Sequence, residues 1–339
     1  MEKLKVNVSD LVYQVLKKDM ELFKFFKSDE STNSNLFINT LIANYYDFIE
    51  DEENKLNKGI KKILSNNTDI KKNELDSISN IITEYILDLD NKEDEYKLSI
   101  SFKPTKVSID TINIIEYQLN NKGISKYFRL LFSSYAKKPL YQREKIIFKD
   151  KVDIIDYSIK NKTAISLKIG DNRYTCYPYK LLYSGEELFN YLVCCDEHNN
   201  IFSFRLTNIH DLVKTKTSFI IKDEIIKKLD EMINLGPQFA CDIDKVMEYI
   251  VKLSPQGIKK FKKIYIHRPK PYKIEDNIYY FKCSYDQMYQ YFFRFGKDAY
   301  VIAPSSLSKR LRMEYEEASK YYSDEFYQSQ KKKDLKLDI

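Results

Sequence analysis

The sequence predicts an α+β protein made of three successive segments. Three observations carry this. Strict apolar/polar alternation at residues 3–8 and again near 96–102 is each time followed by two stretches of helical spacing. A run of short strands divided by turn residues fills 164–206. From about 222 onward, helices and strands alternate up to a last helix.

In the first strand Lys3, Lys5 and Asn7 share one face and Leu4, Val6 and Val8 the other. Ser9 offers an N-cap. From Asp10 to about Phe26, residues Leu11, Val12, Val15, Leu16, Leu22 and Phe23 recur at helical spacing. Residues 28–33 are turn formers, and a second helix carries Phe37, Ile38, Leu41, Ile42, Tyr45, Phe48 and Ile49. Residues 52–90 read as two charged helices. The order then recurs. Lys97, Ser99 and Ser101 oppose Leu98, Ile100 and Phe102; helices follow at Val107–Leu119 and Ile124–Ala136, with a turn at 120–123 between them. A lone strand needs a partner. Either residues 3–50 and 96–137 pair in one pseudo-twofold unit, or they are unrelated pieces, or the first pairs with a second chain.

Residues 142–162 form an amphipathic helix leading into strands at 164–169, 172–177, 180–184, 188–196 and 200–206. Gly170-Asp171 suits a hairpin turn. Five short strands at this spacing predict a small barrel. Next come a helix at 222–235, a break at Gly236-Pro237, a helix at 242–253, a break at 254–257, strands near 262–267 and 278–284, a helix at 285–295, a strand at Tyr300–Pro304 and a helix ending near Tyr322. The expected domains are 1–140, 141–220 and 221–325, with a polar tail at 326–339.

Composition narrows the function. The 339 residues have no apolar run of 18, which predicts no membrane span, and no signal-peptide core at the start. Five cysteines without a CxxC pair read as reduced, cytoplasmic thiols. Three scattered histidines predict no metal centre. There is no glycine-rich phosphate loop, GxSxG, HExxH or paired-carboxylate signature, so neither enzymatic activity nor a cofactor is expected. A net charge of +6 is mild and reflects a lysine-rich, tryptophan-free composition, so clustering of charge matters more than its total.

The stretch Arg173-Tyr174-Thr175-Cys176-Tyr177-Pro178-Tyr179-Lys180-Leu181-Leu182-Tyr183, with Tyr191-Leu192 and Phe204-Arg205-Leu206 followed by Ile209, resembles the core of the WYL domain family, an Sm/SH3-like small barrel. That family ends a strand with Pro-Tyr, runs through Trp-Tyr-Leu and closes with Arg-x-Phe-Arg-Leu-Asp-Arg-Ile. Here Asn190 stands for the Trp, Phe202 for the first Arg and Asn208 for the last. The resemblance covers about 145–215 and, more weakly, 255–322, where Phe295–Pro304 is similar to the family's C-terminal extension, an α/β segment. The N-terminal strand-helix-turn-helix resembles the ribbon-helix-helix fold. The combination is similar to the WYL accessory proteins of type VI-D CRISPR systems. It implies a cytoplasmic homodimer that binds single-stranded RNA and stimulates an RNA-guided RNA nuclease. Two further readings stay open: a DNA-binding transcription regulator with a ligand-sensing WYL domain, and a protein-interaction scaffold that binds no nucleic acid.

Three residue sets are candidates for contact with nucleic acid. In the barrel these are Lys168, Arg173, Tyr179, Lys180, Tyr183, Tyr191, Ser203 and Arg205, since cations pair with phosphates and tyrosine rings stack on unpaired bases. The blander reading makes Tyr179 and Tyr191 core and Arg205 a structural ion pair. A second set, Lys259, Lys260, Lys262, Lys263 and Arg268, lies in a stretch with no acidic residue from Pro255 to Lys273, or is an ordinary solvated face. The third is the ribbon face: Lys3, Lys5, Asn7, Lys97 and Ser99 would enter a major groove or simply face water.

Overall fold

The computed structural model describes residues 2–67, 71–89, 97–119, 123–238 and 247–323. The turn expected at 120–122, Cys241, the first part of the helix expected at 242–253 and the tail at 326–339 lie outside the described residues. The architecture is α+β. The chain divides into two compact units, Met1–Ile154 with Leu188–Asn190, and Ile155–Glu187 with Tyr191–Ile339. Among the described residues no helix is long and apolar enough to cross a membrane.

In the first unit, β1 (Leu4–Val8) pairs antiparallel with β2 (Leu98–Phe102), Lys5 opposite Ser101, Val6 opposite Ile100 and Asn7 opposite Ser99. The two strands of one chain therefore satisfy each other. Side-chain alternation puts Val6, Val8, Ile100 and Phe102 into the core and leaves Lys5, Asn7, Ser99 and Ser101 in water. Helix α1 (Asp10–Leu22) starts where the Ser9 hydroxyl accepts the Val12 N–H; α2 (Ser34–Tyr45) starts where the Asn33 side chain accepts that of Leu36. Helices α3 (Phe48–Asn67) and α4 (Lys72–Leu89) run antiparallel, with Lys61 bridging Asp76 and Asn57 bonding Asn80. Helices α5 (Ile109–Gln118) and α6 (Ile124–Lys137) repeat the strand-helix-helix order after β2. Gly123 opens α6 at φ 76°, a left-handed conformation that favours glycine. The core is aromatic: Phe102 meets Phe128 edge-on at 5.6 Å, and Phe37 meets Tyr135 at 6.3 Å.

The segment 142–162 is two helices rather than one. Helix α7 (Leu140–Ile147) ends at Phe148, whose backbone leaves the helical region, and α8 (Lys149–Asn161) begins directly after it. Polar contacts lock this unit. Asp19, fully buried, accepts from Tyr135 Oη (2.7 Å) and from Arg143 Nε (2.6 Å) and Nη2 (3.0 Å), while Arg143 Nη1 donates to the Lys138 carbonyl. Burial, then the neighbouring Asp19 carboxylate, push the Tyr135 phenol well above its ordinary pKa. Buried Asn39 ties α2 to the exit of β2: its amide donates to the Lys103 carbonyl and its oxygen accepts the Thr105 N–H.

The second unit holds two sheets. In the first, β3 (Thr163–Ile169), β4 (Asn172–Tyr183), β5 (Asn190–Cys195), β6 (Ile201–Arg205) and β7 (Ile209–Ser218) lie in the order β6-β5-β4-β3-β7. Two strands expected at 172–177 and 180–184 are one, and β7 is additional. The expected barrel is not closed by hydrogen bonds among the described residues. A 3-10 turn at Leu206–Asn208 joins β6 to β7, and these strands remain the sheet's two edges. Ile165, Leu167, Cys176, Leu192, Leu206 and Ile209 fill the inner face; Val193 and Cys195 point the other way and pack on Ile225, Leu229 and Met232 of α9 (Asp223–Leu235).

The second sheet follows from β8 (Met247–Leu253), α10 (Pro255–Lys263), β9 (Pro271–Glu275), β10 (Ile278–Cys283), α11 (Tyr285–Phe292), β11 (Ala299–Ala303) and α12 (Ser305–Tyr321). Strand order β11-β8-β10-β9 with antiparallel pairing is the split βαβ arrangement. Two expectations are corrected. Residues 247–253 are a strand, not a helix, because Tyr249, Val251 and Leu253 alternate inward at period two. Residues 262–267 are the end of α10 and a loop, not a strand: Ser254 caps that helix, Pro255 occupies its first turn, and Phe261 is its inward anchor.

Replacing Asp19 by alanine leaves Arg143 and Tyr135 without their shared acceptor. It is expected to lower stability by about 3 kcal/mol in denaturant unfolding; a shift within about 0.5 kcal/mol would remove the network from the account of the fold.

Candidate nucleic-acid interface

The ribbon set forms one surface of the first unit. Lys3, Lys5, Asn7, Lys97 and Ser99 are all exposed, and the β1–β2 register sets Asn7 against Ser99. The remaining candidates belong to the second unit, where they separate into several places.

Lys168 on β3 sits in one cross-strand row between Arg173 on β4 and Asp211 on β7. Arg173 pairs with Asp211 at 2.7 Å, both groups about half exposed. Further along β4, Tyr179 Oη (3.0 Å) and Lys180 Nζ (2.8 Å) both donate to Asp230 of α9, and the Lys180 ammonium lies 4.5 Å from the Tyr179 ring centre. Hydrogen bonding to Asp230 raises the Lys180 pKa, and hydrogen bonding to Lys180 lowers that of Asp230. Tyr191 is 7% exposed and its hydroxyl bonds Glu187, so its ring is core. Ser203 donates to the Pro237 carbonyl. Arg205 is half-buried and stands at the start of the 3-10 turn after β6, its side chain making no capping hydrogen bond there.

Lys259, Lys262 and Lys263 are exposed on α10, opposite buried Phe261; Lys260 turns back to Asp298 (2.7 Å) and the Phe295 carbonyl. Arg268 donates to the Phe261 carbonyl and lies 5.7 Å from that ring's centre.

One place brings members of two sets together. Tyr183, from the barrel set, and Arg268, from the basic segment, line one cleft of about 380 Å³ with Lys270, Lys282, Gln287 and the turn at Gly236–Pro237. Glu186 is the acidic group there, and it is already engaged: His267 donates its backbone N–H to Glu186 Oε2 at 2.8 Å, and His267 Nδ1 lies 3.1 Å from the same oxygen. Three cations, Arg268, Lys270 and Lys282, thus line the cleft around a partly occupied carboxylate.

Two features escaped the sequence reading. Lys282 becomes visible only once β10 is placed beside the cleft. The other is a ring cluster: Tyr174 lies 5.6 Å from Phe202 and 5.1 Å from Phe204, which stack on each other at 5.5 Å. All three are half-buried, Tyr174 on the central strand β4 and the two phenylalanines on the edge strand β6. The i, i+2 spacing of the two phenylalanines was the available signal. Among the described residues no cluster of His, Cys, Asp and Glu could hold a metal ion.

No protein-family model matches the chain, and no curated protein matches it. A solved structure described as the crystal structure of a CRISPR Cas-related protein is similar over 95% of this chain and 94% of its own, at 20% sequence identity and a TM-score of 0.70, which shows a shared fold. Proteasome accessory factor B/C of Arthrobacter aurescens aligns over 48% of this chain and 26% of its own, at 15% identity; its TM-score of 0.22 carries no argument.

The burial of Tyr191 sets an expectation. Tyr191→Ala should lower stability by about 3 kcal/mol, while Tyr191→Phe, losing one hydrogen bond, should cost about 1 kcal/mol. Chemical unfolding curves of the two variants decide it; equal, small losses would return Tyr191 to the surface candidates.

Proposed function

We propose that this chain is a single-stranded RNA-binding accessory protein of a CRISPR RNA-guided, RNA-cleaving effector of the type VI-D kind, that it stimulates that effector, and that it acts as a homodimer by binding rather than by catalysis. In this reading the first unit is a ribbon-helix-helix-like domain, the five-stranded sheet a WYL domain and the split βαβ unit its extension. The observation that carries the reading is the cleft where Arg268, Lys270 and Lys282 meet Tyr183, cations for phosphates beside a ring for a base. The shared fold with a CRISPR Cas-related protein over nearly the whole chain supports it.

A second reading has its own observation. The paired ribbon presents Lys3, Lys5, Asn7, Lys97 and Ser99 together to solvent, a polar two-stranded surface of the kind that enters a major groove. It makes the protein a regulator bound to duplex DNA.

Fluorescence anisotropy with labelled single-stranded RNA and duplex DNA, across a salt series, separates the two. With Arg268→Ala and Lys282→Ala combined, affinity for single-stranded RNA should fall about ten-fold or more, and the slope of log affinity against log salt should shrink by about 1.4, as expected for two lost phosphate contacts. Unchanged RNA binding by the folded double variant would sink the cleft assignment. Preference for duplex, lost on Lys5→Ala with Asn7→Ala, would favour the regulator.

A further inference from the structure

The split βαβ unit keeps its helices on one side of its sheet. Phe261 of α10, Tyr291 and Phe292 of α11 and Leu307 of α12 share a core with Tyr249, Val251, Phe281 and Val301 of the strands. Alternation then dictates what the opposite face carries. Lys252 pairs with both Ile278 and Tyr300, Ile250 with Tyr280, and Glu248 with Lys282. Tyr300 is 65% exposed and Tyr272 51%. Tyr272 joins this face at the irregularity between β9 and β10: its ring lies 6.2 Å from that of Tyr280, and its hydroxyl bonds Glu248. The Tyr280 hydroxyl donates to Glu275 at 2.7 Å. Two phenols are thus held by carboxylates at the surface of a rigid sheet. Ammonium groups stand beside the same rings, Lys282 Nζ 5.4 Å from the Tyr272 centre and Lys273 Nζ 5.0 Å from that of Tyr280.

We propose that this open sheet face takes unpaired bases of single-stranded RNA, stacked on Tyr280, Tyr272 and Tyr300, with Lys252 and Lys282 meeting the adjacent phosphates. The assignment rests on the RNA reading above and adds a second contact surface to it. Rings fixed on a strand lose little freedom when a base stacks, and stacking needs no particular base. A duplex hides its base faces, so this surface selects single strands. A second copy of this chain fits the face less well, because the buried centre of a protein interface is depleted in lysine and glutamate, whereas Glu248, Lys252, Lys273, Glu275 and Lys282 stand on it or at its edge. Lys282 also lines the basic cleft, so the cleft and the open face adjoin.

The test uses the full chain and a labelled oligouridine of about 20 nucleotides, long enough to span several stacking sites. Tyr280→Ala with Tyr300→Ala should weaken binding about ten-fold or more. In the unaltered protein, photocrosslinking to 4-thiouridine RNA should place adducts on peptides containing Tyr272, Tyr280 or Tyr300. That second measurement needs no variant to fold. If the unaltered protein binds the oligouridine but the variant binds it equally and the crosslinks map elsewhere, the sheet-face assignment is overturned while the RNA reading stands. If the unaltered protein does not bind the oligouridine, both fall together. If the variant turns a dimer into a monomer at unchanged RNA affinity, the face belongs to a second copy and the proposal is overturned.

Discussion

The constraint on which the rest of this structure depends is that its sheets are small and antiparallel, so that each can bury one face and leave the other to water. The β1–β2 ribbon buries Val6, Val8, Ile100 and Phe102 and must then expose Lys5, Asn7, Ser99 and Ser101. The split βαβ sheet buries Tyr249, Val251 and Phe281 under its helices and turns exposed Lys252 and Lys282 and half-buried Tyr280 toward the opposite side. The five-stranded sheet departs from this in one strand. Every residue of β5 is buried, because Leu192 and Cys194 face the inner side while Val193 and Cys195 meet α9. A strand buried on both faces reads as the continuous apolar run Tyr191–Cys195, and it leaves the polar binding candidates to its neighbours.

Polar groups inside the units restrict the packing to one arrangement. Asp19 collects Tyr135 and Arg143, 116 and 124 residues further along the chain, onto one carboxylate. Glu144, also fully buried, accepts both the backbone N–H (2.6 Å) and the side-chain amide (2.8 Å) of Asn190, which in turn donates to the Tyr141 carbonyl. Asn190 thus has a structural use that a Trp at the same position would not supply. A half-satisfied site of this kind is costly, so such networks disfavour alternative packings. The exposed pairs are different in kind. Arg173–Asp211 and Lys180–Asp230 are about half exposed, lie in high dielectric and contribute little to stability.

What was legible in the sequence was whatever had a clean period. The two strand-helix-helix stretches, the run of strands at 164–206 and the helices at 222–235 and 285–295 announced themselves through alternation or 3.6-residue spacing. Residues 247–253 did not, because Ile250 among Tyr249, Val251 and Leu253 fills the gap that would mark period two. The Ser254-Pro255 pair reads equally as a break or as the cap and first turn of α10, and only the inward anchor Phe261 decides. For the candidate site, charge and residue type were legible, and position was not. Tyr179, Tyr183 and Tyr191 look alike in one dimension, yet they end as a half-buried hydrogen-bonded ring, an exposed cleft wall and a core residue.

Net charge alone does not locate the cationic cleft, and the arrangement of the folded chain explains why. Several lysines are paired locally, Lys260 with Asp298, Lys180 with Asp230 and Lys273 with Glu275, so a count of lysines does not say which of them are available. What net charge does not show is where cations converge from separate elements onto one concavity, as Arg268 and Lys270 from the loop after α10 do with Lys282 from β10. Their attraction for phosphate is long-ranged, falls with salt and ignores sequence and strandedness alike. In the proposed RNA reading, a preference for unpaired bases would come from rings held still at the surface, and the same sheet that supplies Lys282 supplies Tyr272, exposed, and Tyr280, half-buried, beside it. Under that proposal electrostatic capture and strand discrimination would draw on neighbouring positions of one sheet, so the geometry of β9 and β10 would govern both.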